Sequence, residues 1–172
     1  MTSQWVLRKK FKFEASHQLK FHDGKCRRLH GHGYSLELEV SGPMIESGPK
    51  RGMVVDYSDI TAAGKAVVDL LDHRHLNDVL RTDSPTAEFI SRWIHDRVAV
   101  KIPALRAVTV CETEATSCRY SPAEQRLRDV VDRLLRGDAL SRSGPVDFCR
   151  GAVDMLCLKK RRPARPAGRS GR

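Results

Sequence analysis

Nine consecutive residues, Cys26-Arg27-Arg28-Leu29-His30-Gly31-His32-Gly33-Tyr34, bring together a thiol, two imidazoles and two guanidinium charges. Thiolates act as bases and nucleophiles and neutral imidazoles bind metals, so chemistry is to be sought here first. In an extended chain His30 and His32 share a face roughly 6.5 to 7 Å apart, which suits two ligands of one ion. The same alternation groups Tyr34, Leu36, Leu38 and Val40 with them and puts Ser35, Glu37, Glu39 and Ser41 on the other face, the pattern of a half-buried strand. Upstream, Phe11, Phe13, Ala15, His17 and Leu19 alternate with Lys10, Lys12, Glu14 and Ser16, so a second strand also turns a histidine inward. A lone histidine on an apolar face is ordinarily a hydrogen-bonded core residue. Three on matched faces of two adjacent strands point instead to zinc with one position open for water or substrate.

Further elements must hold these residues in place. The connection from Gly42-Pro43 through Gly48-Pro49 to Gly52 is rich in turn formers and reads as a hairpin loop or exposed excursion. A helix follows with Ser58 as its cap and Ile60, Ala63, Val67 and Leu71 as its apolar stripe. It runs into Asp72-His73-Arg74-His75-Leu76-Asn77, where an imidazole is also favoured simply by the helix dipole. Ser84 and Pro85 predict the start of a second helix, which carries Phe89, Ile90, Trp93, Ile94 and Val98 and has ended by Pro103. Two short strands come next, Ala107 to Thr113 and Ser117 to Tyr120. Glu112 has the parity of Val108 and Val110, so its carboxylate is expected on the apolar side, where it requires an Arg or Lys partner or a ligand that donates hydrogen bonds, unless the strand end is already in solvent. Ser121-Pro122-Ala123-Glu124 has the form of a capping box opening an amphipathic helix through Leu127, Val130, Val131, Leu134 and Leu135, stopped by Gly137.

A chain of 172 residues with 40% hydrophobic content is expected to form one domain plus a tail: a domain over residues 1–120, a helix over 121–136 and a basic, disordered end over 137–172. Seven Lys and Arg residues and no acid fall within 159–172, so most of the net charge of +10 belongs to that end. Such a cluster gives salt-sensitive affinity for nucleic acid, but no base-reading motif accompanies it. Five cysteines without a CxxC pair argue for reduced thiols. No apolar run approaches the roughly 20 residues of a membrane span, and the N-terminus lacks a signal-peptide core. A cytoplasmic protein without membrane contact is the expectation.

In combination these features resemble the 6-pyruvoyltetrahydropterin synthase and 6-carboxytetrahydropterin synthase family over about residues 5 to 120. The motifs that carry the resemblance are Phe13-Glu14-Ala15-Ser16-His17, Cys26-Arg27-Arg28-Leu29-His30-Gly31-His32, Asp72-His73-Arg74-His75-Leu76-Asn77 and Cys111-Glu112-Thr113. The resemblance implies a tunnelling fold of the α+β class: a four-stranded antiparallel sheet with two helices on one face, three subunits closing a β-barrel and two trimers stacked into a homohexamer. It implies Zn2+ on His17, His30 and His32, Cys26 as catalytic thiol, Asp72 and His73 as a proton relay serving an adjacent chain, and Glu112 as the pterin anchor. The implied substrate is 7,8-dihydroneopterin triphosphate. Lys25, Arg27 and Arg28 carry charge suited to its triphosphate, although a basic run is more often a solvated face.

Three residues separate Cys26 from His30, a spacing that looks like the bacterial carboxy-forming branch rather than the animal pyruvoyl-forming enzymes with their longer insertion. The resemblance therefore implies a zinc-dependent lyase that releases acetaldehyde and triphosphate, forms 6-carboxytetrahydropterin and feeds 7-deazaguanine and queuosine synthesis. Triphosphate elimination alone is the alternative within the family. A zinc-stabilised nucleic-acid-binding module is the alternative outside it. Residues 121–172 depart from the family pattern, since related chains usually end soon after the position of Tyr120.

Overall fold

The computed structural model describes residues 4–135. The two alternating segments form thirteen-residue strands, β1 (Trp5–His17) and β2 (His30–Gly42), paired antiparallel from Trp5↔Gly42 to His17↔His30. Then follow α1 (Tyr57–Leu71), β3 (Arg74–His75), α2 (Leu76–Leu80), α3 (Ala87–Val98), β4 (Leu105–Thr113), β5 (Thr116–Tyr120) and α4 (Pro122–Leu135). The spatial strand order is β3-β1-β2-β4-β5. The class is α+β, but the sheet has five strands and is mixed, not four-stranded and antiparallel. The added strand, β3, runs parallel to β1 through Ala15↔Arg74 and Ser16↔His75. Two residues are too few to leave a periodic signal, and β3 forms because the turn after α1 is tied to the edge of β1.

One face of the sheet is apolar and carries the helices. Phe13, Tyr34, Leu36, Leu38, Val40, Val108 and Val110 pack there with Ile60, Val67 and Leu71 of α1, Leu76 and Leu80 of α2, and Ile90, Ile94 and Val98 of α3. The predicted stripe of α1 is thus its buried face, and that of α3 is buried at Ile90, Ile94 and Val98 but leaves Phe89 exposed and Trp93 half-buried. Their caps differ from expectation. Asp56, not Ser58, caps α1 by accepting from the Ser58 amide, and Thr86, not Ser84, caps α3 by accepting from the Phe89 amide. In both cases the helix takes a neighbouring oxygen already in extended backbone. The capping box at α4 does not form: Ser121 Oγ is buried without a partner, while Glu124 pairs with Arg119 at 2.8 Å and Arg106 at 3.5 Å.

The chain divides into two compact units, Met1–Arg126 and Leu127–Arg172, and the sheet and α1–α3 belong to the first. The expected helix stop at Gly137, the basic end over 137–172, and Cys149 and Cys157 lie outside the described residues. Among those described, no helix is long and apolar enough to cross a membrane.

One contact fixes how closely α1 approaches the sheet. A Cβ at Gly64 of α1 would lie 2.2 Å from Cζ of Phe11, so the helix seats on the sheet only because no side chain intervenes. Alanine normally favours a helix over glycine by about 1 kcal/mol, whereas overpacking costs about 1–3 kcal/mol. Gly64→Ala should therefore lower stability, and a higher denaturation midpoint would contradict this packing.

On the other face, Glu39 accepts from Arg8 Nε and Nη2 at 3.2 Å and from Arg119 Nη2 at 2.8 Å, joining β1, β2 and β5. Burial pushes the Glu39 carboxyl up, but the hydrogen bonds and charges of Arg119 and Arg8 outweigh it and leave the group below its ordinary 4.5. Its stabilisation is complete above that ordinary value and is lost as pH falls through the lowered folded value. Glu39→Gln should cost about 1–3 kcal/mol at pH 7 and have a smaller effect in acid; urea melts at the two pH values measure both.

Candidate active site

The register of β1 and β2 puts His17 directly opposite His30 and Ala15 opposite His32. The three imidazoles therefore meet at one end of the apolar face, with ring centroids 4.4 Å (His17–His30) and 5.1 Å (His17–His32 and His30–His32) apart. One nitrogen from each lies within 4.8 Å of the others. His17 Nδ1 donates to the Pro85 carbonyl at 2.9 Å and His30 Nδ1 to the Arg28 carbonyl at 2.7 Å. Those carbonyls can only accept, so the proton sits on Nδ1 and the Nε2 lone pair is left free. Nε2 of His17 and of His32 are buried without a partner. Burial lowers the His17 pKa, the Pro85 carbonyl and the Glu112 charge act against this, and His30 and His32 reinforce it; the net is below 6.5. Converging imidazole nitrogens, two of the rings held at Nδ1 by carbonyls and two with an orphaned buried Nε2, fit a divalent metal.

The connection bearing Cys26 is anchored at its root. The carboxamide of Asn77, which is buried, accepts from the Gln18 amide at 2.9 Å and donates to the carbonyls of Gln18 at 2.8 Å and Thr82 at 3.1 Å. Gln18 Nε2 then donates to the Arg27 carbonyl, and the Leu19 amide to the Cys26 carbonyl. Cys26 is half-buried on a short 3₁₀ turn, Lys25–Arg27, with its thiol free. Lys25, Arg27 and Arg28 are exposed and make no ion pair among the described residues. Asn77 has a structural role that sequence reasoning missed; its place at the end of Asp-His-Arg-His-Leu-Asn was the available signal.

Glu112 is half-buried on β4 and has no hydrogen bond or ion pair among the described residues. Its charge acts on His17 and on Tyr34, so the carboxylate belongs to the histidine side of the sheet, as its parity predicted. Asp72 and His73 are held at the edge of β1. Asp72 Oδ1 accepts from the Glu14 amide at 2.8 Å, the His73 amide donates to the Glu14 carbonyl at 2.6 Å, and Asp72 Oδ2 lies 3.0 Å from His73 Nδ1. The Glu14 amide, with His73 helping and burial opposing, holds the Asp72 carboxyl below its ordinary value. His73 sits in the left-handed region at φ 55°, a conformation this clamp maintains. It lines a cleft of about 480 Å³ with Glu14, Ser16, Gly31, Gly33 and His32, so one member of the triad borders the same cleft.

A family model described as 6-pyruvoyl tetrahydropterin synthase matches residues 6–123. A Synechocystis sp. protein named 6-carboxy-5,6,7,8-tetrahydropterin synthase is 42% identical over 119 residues, covering 67% of this chain and 92% of its own. A Haemophilus influenzae protein of the same name is 34% identical over 134 residues, covering 65% and 95%. The solved 6-pyruvoyl tetrahydropterin synthase of Caenorhabditis elegans superposes with a TM-score of 0.62 at 25% identity, over 70% of this chain and 96% of that one.

The geometry predicts one zinc or cobalt ion per chain by equilibrium dialysis. Loss of an outer-shell partner weakens metal sites by about 10–100-fold, and His30→Ala or His32→Ala should weaken this one by more. Unchanged affinity in both variants would remove the triad as the metal site.

Proposed function

Because the chain belongs to the 6-pyruvoyl tetrahydropterin synthase family, we propose that it is a zinc-dependent 6-carboxytetrahydropterin synthase. With water, it converts 7,8-dihydroneopterin triphosphate to 6-carboxy-5,6,7,8-tetrahydropterin, acetaldehyde and triphosphate, a lyase step feeding 7-deazaguanine and queuosine synthesis in the cytoplasm. The observation that carries the reading is the convergence of His17, His30 and His32 beside the unpaired, charge-coupled carboxylate of Glu112. The names of the relatives at 42% and 34% identity favour the carboxy product over triphosphate elimination alone.

Each residue has a task its chemistry suits. His17, His30 and His32 would hold zinc, which when bound acts as a Lewis acid toward the hydroxyls of the substrate side chain. The two oxygens of Glu112 would accept from adjacent N–H donors of the pterin, so that its half-buried charge is satisfied by the ligand. Cys26, on the anchored turn before His30, would take a proton from the substrate side chain as general base. In the relay pair, Asp72 accepts from His73 Nδ1 and leaves Nε2 to give or take a proton. Lys25, Arg27 and Arg28, exposed and without carboxylate partners, would face the triphosphate.

In this reading a second copy of the chain completes the site, and the largely exposed imidazole of His73, held at the edge of β1, would serve that neighbour. That agrees with trimers closing a barrel and stacking into a hexamer, an assembly that would also cover the sheet edges at β3 and β5. The domain over residues 1–120 would carry this chemistry.

Zinc-loaded protein should release acetaldehyde and triphosphate in equal amounts from dihydroneopterin triphosphate. Triphosphate without acetaldehyde would assign the pyruvoyl reaction instead. Cys26→Ala should lower turnover by about 10²–10⁴-fold, and His73→Ala should be similarly impaired. Co-expressed, the two should recover activity at roughly a quarter of the sites, as random assortment in a closed ring requires. No recovery in isolated mixed oligomers would exclude a shared site.

A further inference from the structure

The ladder between β2 and β4 runs through Leu36↔Val110 and Ser35↔Cys111. Tyr34 and Glu112 are the next residues on the two strands, just past that last pair, and β1 places Phe13 on the other side of Tyr34. Packing accounts for the ring of Tyr34. It is fully buried, stacked on Phe13 with centroids 4.8 Å apart and planes within 7°, and edge-on to His32 at 5.5 Å and His17 at 6.1 Å. A phenylalanine would make the same contacts.

Packing does not account for the hydroxyl. Tyr34 Oη is buried without a hydrogen-bond partner, and a buried phenol ordinarily finds one because an orphaned donor is costly. Glu112 has the complementary deficit: a half-buried carboxylate with no donor among the described residues, whose charge reaches Tyr34. A donor lacking an acceptor and an acceptor lacking a donor thus occupy neighbouring positions on adjacent strands.

We infer that Tyr34 is a positioning residue: its hydroxyl donates to the Glu112 carboxylate once a pterin docks, and fixes the plane in which that carboxylate meets the ligand. This rests on the pterin reading above. A carboxylate has about four acceptor sites, so two bonds to the ligand leave room for a third donor from the protein. When the ligand displaces water from Glu112, Tyr34 remains as a buried donor beside it. The two residues then relieve each other's deficit in the bound state, which makes binding more favourable than Glu112 alone would.

Neopterin binding, followed by the ligand's fluorescence on wild type, Tyr34→Phe, Glu112→Ala and the double variant, tests this. Tyr34→Phe should raise Kd about tenfold, the scale of one charge-assisted hydrogen bond, and lower kcat/KM through KM. Metal stoichiometry should be unchanged and the Tm equal or higher, since only an orphaned hydroxyl is removed. In the Glu112→Ala background, Tyr34→Phe should change nothing further. Unaltered Kd in Tyr34→Phe, an equal loss in both backgrounds, or loss of metal or Tm together with binding would each overturn the inference while leaving the pterin reading intact. Wild type that binds no neopterin would overturn both.

Discussion

The register between β1 and β2 is the constraint on which the rest depends. Side chains alternate with a period of two, so a slip of one residue would carry His30 and His32 to the other face and separate them from His17. Pairing over thirteen residues resists this slip, because the same shift would expose Tyr34, Leu36, Leu38 and Val40, all fully buried. The triad end has its own restraints. Asn77 occupies both backbone groups of Gln18, and the Pro85 carbonyl accepts from His17. The apolar burial that folds the sheet therefore also aims the metal ligands.

The strand β1 serves two chemistries without compromise because its side chains and its main chain point in different directions. His17 reaches inward, while the amide and carbonyl of Glu14, directed along the sheet plane, take Asp72 and His73. Close strand contact is kept by Gly31 and Gly33 on β2: a Cβ there would stand 3.1 Å from the Ala15 carbonyl oxygen and 3.0 Å from Glu14 Oε1. The bracket around Glu14 holds His73 at a positive φ that an unrestrained residue would leave. Its imidazole is largely exposed, and its position is set by its backbone and by Asp72 rather than by packing.

What the sequence made legible follows from signal length. The alternation from Phe11 to His17 and from His30 to Val40 placed the three histidines on one face before any coordinates, and parity placed Glu112 with them. The two residues of β3 carry no periodicity, and only the clamp on Glu14 makes them a strand. The caps were misplaced by a few residues because Asp56 competes with Ser58, and Thr86 with Ser84, for the same few amides. At α4, Glu124 had the spacing of a capping residue, but Arg119 and Arg106 offer it charge-assisted partners, which the neutral backbone amide of Ser121 does not match. No sequence pattern could reveal that Asp72 and His73 clamp the main chain of Glu14, since that depends on which edge the turn after α1 meets.

Stability and function occupy different ends of the same sheet rows. From Leu36 to Val40 and at Val108 and Val110 every inward position is apolar, and the outward charge of Glu39 is satisfied by two arginines. Toward His17 the composition reverses, and buried Nε2 atoms of His17 and His32 and the hydroxyl of Tyr34 stand without partners. Each such atom costs about 1–3 kcal/mol in a free protein, and apolar residues of similar shape would fold at least as well there. Three of the six orphaned buried atoms among the described residues gather at one end of the β1–β2 hairpin, the others being on His95 and Ser121, and selection for stability alone would not favour that gathering. Their clustering beside an unpaired carboxylate is the reason to regard them as groups whose partners arrive with the metal and the ligand.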